Sequence, residues 1–256
     1  MLTSLLLAAA LALPQRVADS SFWREADTRL VLATLVATGA MAAFDERIAH
    51  WARGPTVQGD SGRHDVVSAA TEVNEWPLTI LAITTYAVGK IAKKPVVADV
   101  GAHLTEALAA TIIAAEIVRV GLGRARPHAS PDDAFTFKPG AGFSAFDYRS
   151  FPSIHAAVAL ATAGALSEEL RLRDVRARRF LTPLLIGAAT IPGFTRIYLD
   201  QHWSSDVLAG SVLGAYLGTR VVRYTHGRRT KIDGILLGSR VWMSRYGPVV
   251  GVTMAR

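Results

Sequence analysis

The chain has 256 residues, half of them hydrophobic, and a positive mean hydropathy of +0.27, which suits one domain with a large apolar core or a chain in a bilayer. Its 28 Lys and Arg against 21 Asp and Glu give a formal charge of +7, which favours anionic partners such as phosphates and lipid headgroups. The lack of cysteine excludes disulfides and thiolate metal sites, and structural zinc would need His and carboxylates alone, which we do not expect.

The N-terminus is a short apolar run from Met1 to Ala12, followed by Pro14. Ala10-Leu11-Ala12 is similar to the small-residue cleavage site of a signal peptide, but no Lys or Arg precedes the run. A cleaved signal peptide and an uncleaved hydrophobic N-terminus are therefore both open. We assign residues 1–28 to this N-terminus and a polar lead-in that carries Trp23.

Six predominantly apolar segments follow, and between the first two, Gly54 to Arg63 is predicted to be a loop because of its Gly, Pro and Asp content. Several segments are short for a membrane span of about 20 residues. The pattern nevertheless predicts an all-α fold, a six-helix bundle over residues 29–225 that is embedded in a membrane or associated with one. The segments are residues 30–44, 77–92, 97–120, 153–170, 180–192 and 207–222.

Basic residues alternate along the connections between these segments. They follow the second, fourth and sixth segments, which a six-span chain places on one side of the membrane, the cytoplasmic side by the positive-inside bias. The connections after the third and fifth segments then face outward. The basic residues are Lys90, Lys93, Lys94, Arg171, Arg173, Arg176, Arg178, Arg179, Arg220, Arg223, Arg228, Arg229 and Lys231.

The sixth segment and the tail have patterns of their own. Gly210, Gly214 and Gly218 recur every fourth residue, which lets two helix backbones approach closely, and we expect them to pack inside the molecule rather than form a dimer face. Residues 226–256 form a basic tail in which 241–243 and 249–254 are predicted to be two short strands.

Charged and polar side chains concentrate in three stretches that lie at segment ends on the outward side. Arg119 to Pro127 ends the third segment, Phe151 to His155 opens the fourth, and Thr195 to Asp206 joins the fifth to the sixth. All three can converge on one pocket. Arg119, Arg126 and Arg196 would then supply three guanidinium groups, enough to surround the nonbridging oxygens of a phosphoryl group.

Two of these stretches carry further groups suited to a phosphate. His202 precedes Asp206 by four residues, so a helical turn near Ser204 brings the two side chains to one face, where the carboxylate fixes the imidazole tautomer. The start of the fourth segment offers unpaired backbone N–H groups and a positive dipole end, with Ser153 and His155 beside them.

Together the three stretches resemble the signature of the type 2 phosphatidic acid phosphatase (PAP2) superfamily, which is Lys-x6-Arg-Pro, Pro-Ser-Gly-His and Ser-Arg-x5-His-x3-Asp. The matching residues here are Arg119-x6-Arg126-Pro127, Pro152-Ser153-Ile154-His155 and Thr195-Arg196-x5-His202-x3-Asp206. The resemblance covers residues 116–218 in order, spacing and placement at helix ends, and the six-helix pattern is similar to that of the family's membrane members.

The resemblance implies a role for each matched residue. His202 would attack phosphorus and form a phosphohistidine, Asp206 would orient it, and His155 would protonate the leaving oxygen and then activate water. Phosphate binding would fall to Arg119, Arg126, Ser153, Ile154 and Arg196. No metal or other cofactor takes part in this scheme.

Three positions depart from the family signature. Arg119 replaces a lysine and keeps the charge with a different geometry, and Thr195 replaces a serine and keeps the hydroxyl. Ile154 replaces a glycine, and its β-branched side chain restricts the backbone and the close approach of a ligand.

The resemblance implies a metal-independent phosphatase that hydrolyses a phosphomonoester or diphosphate, above all of a lipid such as phosphatidate, phosphatidylglycerophosphate or a polyprenyl diphosphate. We expect the membrane as a partner and no nucleic acid. We expect a cell-envelope location, either in the inner membrane with the site facing the periplasm or in the periplasm and associated with the membrane. Two alternatives stay open: a vanadium haloperoxidase, which shares the signature, and a non-catalytic envelope protein whose site Ile154 has closed.

Overall fold

A computed structural model describes residues 22–72, 74–226, 239–244 and 247–252. The expectations about the apolar run from Met1 to Ala12, and about Arg228, Arg229 and Lys231, lie outside the described residues. Each of the six predicted apolar segments is a helix, so the all-α fold is confirmed. In chain order the helices are α1 Glu25–Ala42, α2 Asp45–Arg53, α3 Pro55–Gln58, α4 Ser61–Ala70, α5 Glu75–Ile91, α6 Pro95–Leu122, α7 Ile154–Leu172, α8 Arg178–Tyr198 and α9 Ser204–Thr225.

The loop predicted from Gly54 to Arg63 is wrong, because most of it is helical. Pro55 occupies the first turn of α3, where its missing N–H costs no hydrogen bond. Asp60 then caps α4, its side chain accepting a hydrogen bond from the Arg63 backbone N–H at 2.9 Å. Pro and Asp therefore start helices here instead of breaking one.

The centre of the bundle is α7, which packs against α9 along the glycine stripe. A Cβ atom added at Gly210, Gly214 or Gly218 would lie 2.3, 1.9 and 2.2 Å from a carbonyl oxygen of α7 or its N-cap, distances that no real Cβ occupies. The prediction that the stripe packs inside the molecule is confirmed. Because Gly210 lies under the Ser153 carbonyl, this contact also fixes the start of α7 beside the start of α9.

The outer surface of the bundle is apolar. Helices α6 and α8 are long and apolar enough to cross a membrane, and α1 with α2, bent by 52°, adds a third span if the pair is one span. Large apolar side chains such as Val36, Ile117 and Phe194 are exposed on these helices, as a lipid-facing surface requires. The fold is therefore that of a membrane-embedded bundle.

The two ends of the bundle differ in character. The first end carries Lys90, Lys93 and Lys94 together with the C-terminal ends of α7 and α9. The second end carries the C-terminal ends of α6 and α8 and the N-terminal ends of α5, α7 and α9. At this second end, residues 123–153 form an ordered connection with two short 3-10 turns, Ala141–Phe143 and Phe146–Tyr148. Beyond the bundle, β1 Ser239–Ser244 pairs antiparallel with β2 Gly247–Val252, where two strands were predicted.

The connection after α6 is fixed in place at Gly123. This residue ends α6 with a left-handed backbone at φ 61°, and a Cβ there would lie 1.9 Å from the Lys138 carbonyl oxygen. Lys138 in turn donates its backbone N–H to the Gly123 carbonyl at 2.8 Å. The close approach of the two backbone segments holds the arginines that follow Gly123 against the end of the bundle.

Candidate active site

The structure brings the three sequence stretches to one end of the bundle. The Ser153 backbone N–H donates to the Asp206 carbonyl at 3.0 Å, which joins the start of α7 to the first turn of α9. The connection between α8 and α9 folds back on Arg196, whose carbonyl accepts from the backbone N–H of Gln201 at 2.9 Å and of His202 at 3.3 Å. His202 therefore lies directly beside the last turn of α8.

Asp206 is held by hydrogen bonds on both carboxylate oxygens. Its Oδ2 accepts from Ser150 Oγ at 2.5 Å and from the Trp203 backbone N–H at 2.9 Å, and its Oδ1 accepts from Arg124 Nη1 at 2.6 Å. The Nδ1 atom of His202 lies 3.6 Å from Oδ2, with both side chains fully buried. The imidazole of His202 therefore faces the carboxylate of Asp206, as the spacing of four residues predicted, and hydrogen bonds from other residues hold that carboxylate in place.

Arg124 joins this carboxylate to a second buried one. Its Nη2 donates to Asp45 Oδ2 at 2.8 Å, and its Nε and Nη2 both donate to the Ala134 carbonyl. Asp45 begins α2 and also accepts from the Ser205 backbone N–H at 2.8 Å. The two carboxylates share one guanidinium group, so the starts of α2 and α9 are tied to the connection after α6.

His202 is a neutral base in this setting. Burial lowers the pKa of its imidazole to about 4, against the effect of the Asp206 carboxylate, which favours the protonated ring. At neutral pH the ring is therefore uncharged. A neutral imidazole with one nitrogen facing a carboxylate has a lone pair on the other nitrogen, which is what a nucleophile needs.

Arg126 lies among like charges. Burial and the positive charges of Arg119 and Arg196 together lower its pKa to about 10. The guanidinium still carries its charge at neutral pH. Its Nη1 donates to Gln201 Oε1 at 2.5 Å, and its Cζ atom lies 4.1 Å from the centre of the Phe146 ring. Three mutually repelling cations in a buried site favour binding of a multiply charged anion.

Arg119 makes its own contacts on the α6 side of this group. Its Nη1 bonds to Glu116 Oε1 at 2.5 Å and its Nε donates to the Arg149 carbonyl at 3.1 Å. The Arg119 side chain, which is longer than the lysine of the family signature, is thus held at two points. One is a carboxylate one helical turn earlier, and the other is the connection that leads to α7.

His155 faces the same group of charges from the first turn of α7. The positive charges of Arg196, Arg119 and Arg126 act on its ring, and its Nε2 lies 3.8 Å from Glu75 Oε2 at the start of α5. Glu75 is thus the carboxylate nearest to this histidine. It gives His155 a partner of the same type that Asp206 gives His202.

Ile154 lies away from these groups. Its side chain is 4% exposed and packs in the main apolar cluster with Leu108, Val158 and Val222. The first-turn N–H groups of α7 have no acceptor within the helix, and the isoleucine side chain does not cover them because it lies in the core. The substituted glycine position therefore changes the core rather than the open face of the pocket.

Several buried side-chain polar atoms at this end, donors together with the lone-pair nitrogen of His202, have no hydrogen-bond partner among the described residues. They come from all three stretches, and an unpaired buried polar atom is costly unless a ligand or water satisfies it. Backbone N–H groups at the start of α7 add to them. The arrangement can hold a tetrahedral oxyanion beside a neutral histidine. The atoms are Arg126 Nε, Arg196 Nε, Ser153 Oγ, His155 Nδ1 and His202 Nε2.

Sequence reasoning did not identify four residues that build this site. Arg124 and Ser150 lie in the basic connection, but nothing in their spacing distinguished them from the solvated side chains around them. Asp45 and Glu75 begin helices, a position that acidic residues commonly occupy for the helix dipole alone.

Comparison with known proteins points to one family. The model of the PAP2 superfamily matches residues 101–230, just over half of the chain. A lipid A 1-phosphatase of Rhizobium johnstonii is 35% identical over 148 residues, covering 56% of this chain and 57% of the relative. A lipid A 1-phosphatase of Rhizobium etli is 32% identical over 148 residues, covering 56% of this chain and 60% of the relative. The alignments thus span less than two thirds of these relatives.

A solved structure shares the fold. The crystal structure of a transmembrane PAP2 type phosphatidylglycerolphosphate phosphatase from Bacillus subtilis superposes with a TM-score of 0.57. The match covers 76% of this chain and 92% of the other, at 20% sequence identity. At that identity the likeness supports the architecture of the bundle and not a particular substrate.

Proposed function

The chain belongs to the PAP2 superfamily, and from that premise we propose that it is a membrane phosphatase that removes a phosphoryl group from a lipid through a phosphohistidine at His202. The observation that carries the proposal is the convergence of unpartnered buried donors on a neutral histidine beside a fixed carboxylate. This set of groups matches a phosphoryl group in charge, in hydrogen-bond demand and in the need for a nucleophile.

In the first step the phosphoryl group moves to the enzyme. The Nε2 lone pair of His202 forms a bond to phosphorus while the bond to the leaving oxygen breaks. Nδ1 keeps its proton, and the positive charge that develops on the ring is stabilised by Asp206, which Arg124 and Ser150 hold in position. His155 donates a proton to the leaving oxygen, so the dephosphorylated lipid departs as an alcohol.

In the second step water releases the phosphate. His155, now neutral, takes a proton from a water molecule whose oxygen attacks phosphorus, and the bond to His202 Nε2 breaks. The products are inorganic phosphate and the original enzyme. Glu75, 3.8 Å from His155 Nε2, stabilises the protonated form of this histidine before the first step and after the second.

Neutralisation of the phosphoryl charge supplies much of the rate enhancement in this proposal. The equatorial oxygens of the phosphoryl group carry the charge of the transition state, and guanidinium groups placed around them before the reaction begins lower its energy. Arg119, Arg126 and Arg196 are three such groups from two helices and one connection. Ser153 Oγ and the backbone N–H groups of Ile154 and His155 add uncharged donors at the start of α7.

The substrate we propose is the anomeric phosphate of a lipid A-type glycolipid. Two relatives with 35% and 32% identity are lipid A 1-phosphatases, and the apolar outer surface of the bundle suits a substrate presented from a membrane. The basic residues at the opposite end favour a cytoplasmic location for that end, so the pocket faces the periplasm in this proposal.

A phosphate-release assay on the full chain in detergent tests the proposal. We would offer lipid A, phosphatidate, phosphatidylglycerophosphate and a polyprenyl diphosphate in parallel with no added Mg²⁺, with His202→Asn as the inactive control. We expect release from lipid A at the highest kcat/KM and none from the control. A preference for another of these lipids would overturn the substrate assignment alone, and no release from any of them would overturn the phosphatase proposal.

A further inference from the structure

A cavity of about 310 Å³ lies between α7, α8 and α9 near the end of the bundle that carries Lys93 and Lys94, which we call the basic end. A larger cleft of about 940 Å³ around the start of α8 adjoins it, since Arg178 and Thr182 line both. We refer to the two together as the arginine cleft. Arg178 precedes Arg196 by 18 residues of helix, about 27 Å at about 1.5 Å per residue, so this cleft is separate from the candidate active site.

The cavity exists because α9 approaches α7 more closely than α8 does. A Cβ atom at Gly164 of α7 would lie 2.9 Å from the Ala215 carbonyl oxygen and 3.1 Å from Thr219 Oγ1, so no space remains between these two helices. The first nine residues of α8, 178–186, are mostly exposed, with Thr182 half-buried against the cavity. The start of α8 therefore stands away from α7 and leaves a gap that no side chain of the described residues fills.

The cavity is apolar on one side and polar toward the basic end. Leu160 of α7 and Ile186 of α8 form the apolar part, and Ile186 is 43% exposed, so the cavity reaches the lipid-facing surface of the bundle. Ser167 and Arg171 line the polar part, two to three turns farther along α7. Ser167 Oγ is buried and has no hydrogen-bond partner among the described residues, so a ligand here would satisfy it. An amphipathic ligand, with an apolar chain next to a polar head, matches this order.

The carboxylate that lines the cavity is already neutralised. Glu168 accepts two hydrogen bonds from Arg171, at 2.9 and 2.5 Å, and two from Arg223, at 2.9 and 3.2 Å. Two guanidinium groups thus share one buried carboxylate, and the three side chains together keep one positive charge. The Arg171 side chain is 37% exposed and lines the cavity, so part of that charge is accessible to an anion.

The start of α8 adds three guanidinium groups to the adjoining cleft, where Arg176, Arg178 and Arg179 are all exposed. No hydrogen bond or ion pair engages the side chains of Arg176 and Arg178 within the part of the chain that the structure describes, and the Cζ atom of Arg179 lies 4.7 Å from the centre of the Phe180 ring. Asp174 is the one carboxylate among the described residues that line this cleft. The excess of guanidinium groups, which bind phosphate oxygens well, is therefore left for a ligand to neutralise.

We propose that the arginine cleft binds one anionic phospholipid, with its phosphate among Arg176, Arg178 and Arg179 and an acyl chain in the cavity beside Leu160 and Ile186. Basic pockets between transmembrane helices on the cytoplasmic side suit anionic headgroups. The apolar cavity favours a lipid over a free phosphate ion, which would leave that cavity unfilled. In the topology proposed above the basic end lies at the cytoplasmic leaflet, so this lipid comes from the leaflet opposite to the one that the candidate active site faces.

The bound lipid fills the gap between α7 and α8. Because the start of α8 has little other support and its last turn carries Arg196, the lipid stabilises the helix that supplies this arginine to the candidate active site. Binding at the arginine cleft does not require phosphoryl transfer at His202, so it stands apart from the proposed function.

The test is lipid binding by the full chain, stripped of lipid in detergent and measured by native mass spectrometry. Phosphatidylglycerol is the anionic probe, phosphatidylcholine is the zwitterionic probe, and inorganic phosphate supplies the headgroup charge without a chain. The double variant Arg178→Gln/Arg179→Gln removes charge, and Thr182→Phe fills the cavity and keeps every charge. Lys93→Gln/Lys94→Gln is the matched control, because these lysines are exposed at the same end and line neither part of the cleft.

We expect wild type and the lysine control to bind one phosphatidylglycerol with the same affinity, and phosphatidylcholine about tenfold more weakly. Loss of the two arginines should weaken phosphatidylglycerol binding about 30-fold, at about fivefold for each charge, and Thr182→Phe should weaken it about tenfold. Phosphatidylglycerol at about 100-fold over its Kd should raise the melting temperature of wild type by about 5 to 10 °C.

Equal phosphatidylglycerol affinity in wild type and the arginine variant, or equal affinity of wild type for the two lipids, would overturn the site. Displacement of the lipid by millimolar inorganic phosphate, or wild-type affinity in Thr182→Phe, would overturn the placement of an acyl chain in the cavity. Arg178 and Arg179 are exposed, so the arginine variant tests the site even if Thr182→Phe fails to fold. The candidate active site is intact in all four proteins, so lipid bound there cancels.

Discussion

Replacing Ile154 by alanine tests whether the departure from the family signature affects the pocket or the core. The side chain is 4% exposed and packs with Leu108, Val158 and Val222. Truncation of a buried isoleucine to alanine costs about 2 to 5 kcal/mol, while truncation to valine costs about 0.5 to 1.5 kcal/mol. With a shift of about 2 to 4 °C per kcal/mol for a chain of this size, Ile154→Ala should lower the melting temperature by about 4 to 20 °C.

The assay pairs a thermal melt in detergent with kcat measured on the folded fraction well below the melting temperature. Ile117→Ala is the matched control, because Ile117 is 65% exposed on α6 and should shift the melt by no more than about 2 °C. We expect Ile154→Ala and Ile154→Val to lose stability in that order of size and to keep kcat within about twofold of wild type.

The opposite result would refute the reasoning. If Ile154→Ala or Ile154→Gly raised kcat several-fold while the melting temperature stayed within about 2 °C of wild type, the isoleucine would limit the pocket and its placement in the core would be wrong.

Two further predictions concern the groups around the candidate nucleophile. Arg124→Met leaves Asp206 and Asp45 buried without their shared cation, which should lower the free energy of unfolding by about 3 to 5 kcal/mol and remove most of the activity. Arg29→Met, in an exposed ion pair, should lower it by less than about 1 kcal/mol. Equal melting temperatures for the two variants would contradict the buried network. Because burial lowers the pKa of His202 to about 4, its ring should gain a proton, and activity should fall, only as the pH drops through about 4; an NMR titration of the ring, assigned with His202→Asn, that gave a midpoint near 6.5 would contradict this.

The helices and the positions of the signature residues follow from local patterns in the sequence. Apolar runs bounded by charges predicted the six long helices, and the four-residue spacing of Gly210, Gly214 and Gly218 predicted the close contact of α9 with a neighbour. Both patterns depend on residues near one another in the chain, where helical geometry fixes which side chains share a face.

The rest depends on contacts between distant residues. Arg124 bonds to Asp45 and Asp206, which are 79 and 82 positions away, and no spacing rule connects them. The direction of the Ile154 side chain depends on how α7 rotates against α6 and α9. The ion pairs of Arg173 show both cases, since Glu169 precedes it by four residues in the chain but Asp99 meets it only through the fold.

Trapping of the phosphoenzyme tests the central assignment most directly. The full chain in detergent would be mixed with a ³²P-labelled lipid phosphate, quenched in alkali, where phosphohistidine survives, and analysed by peptide mapping. We expect label on the peptide that contains His202 in wild type, more label in His155→Ala because hydrolysis of the intermediate is slowed, and none in His202→Asn. Label that persisted in His202→Asn, or turnover of the lipid by that variant at the wild-type rate, would contradict the account.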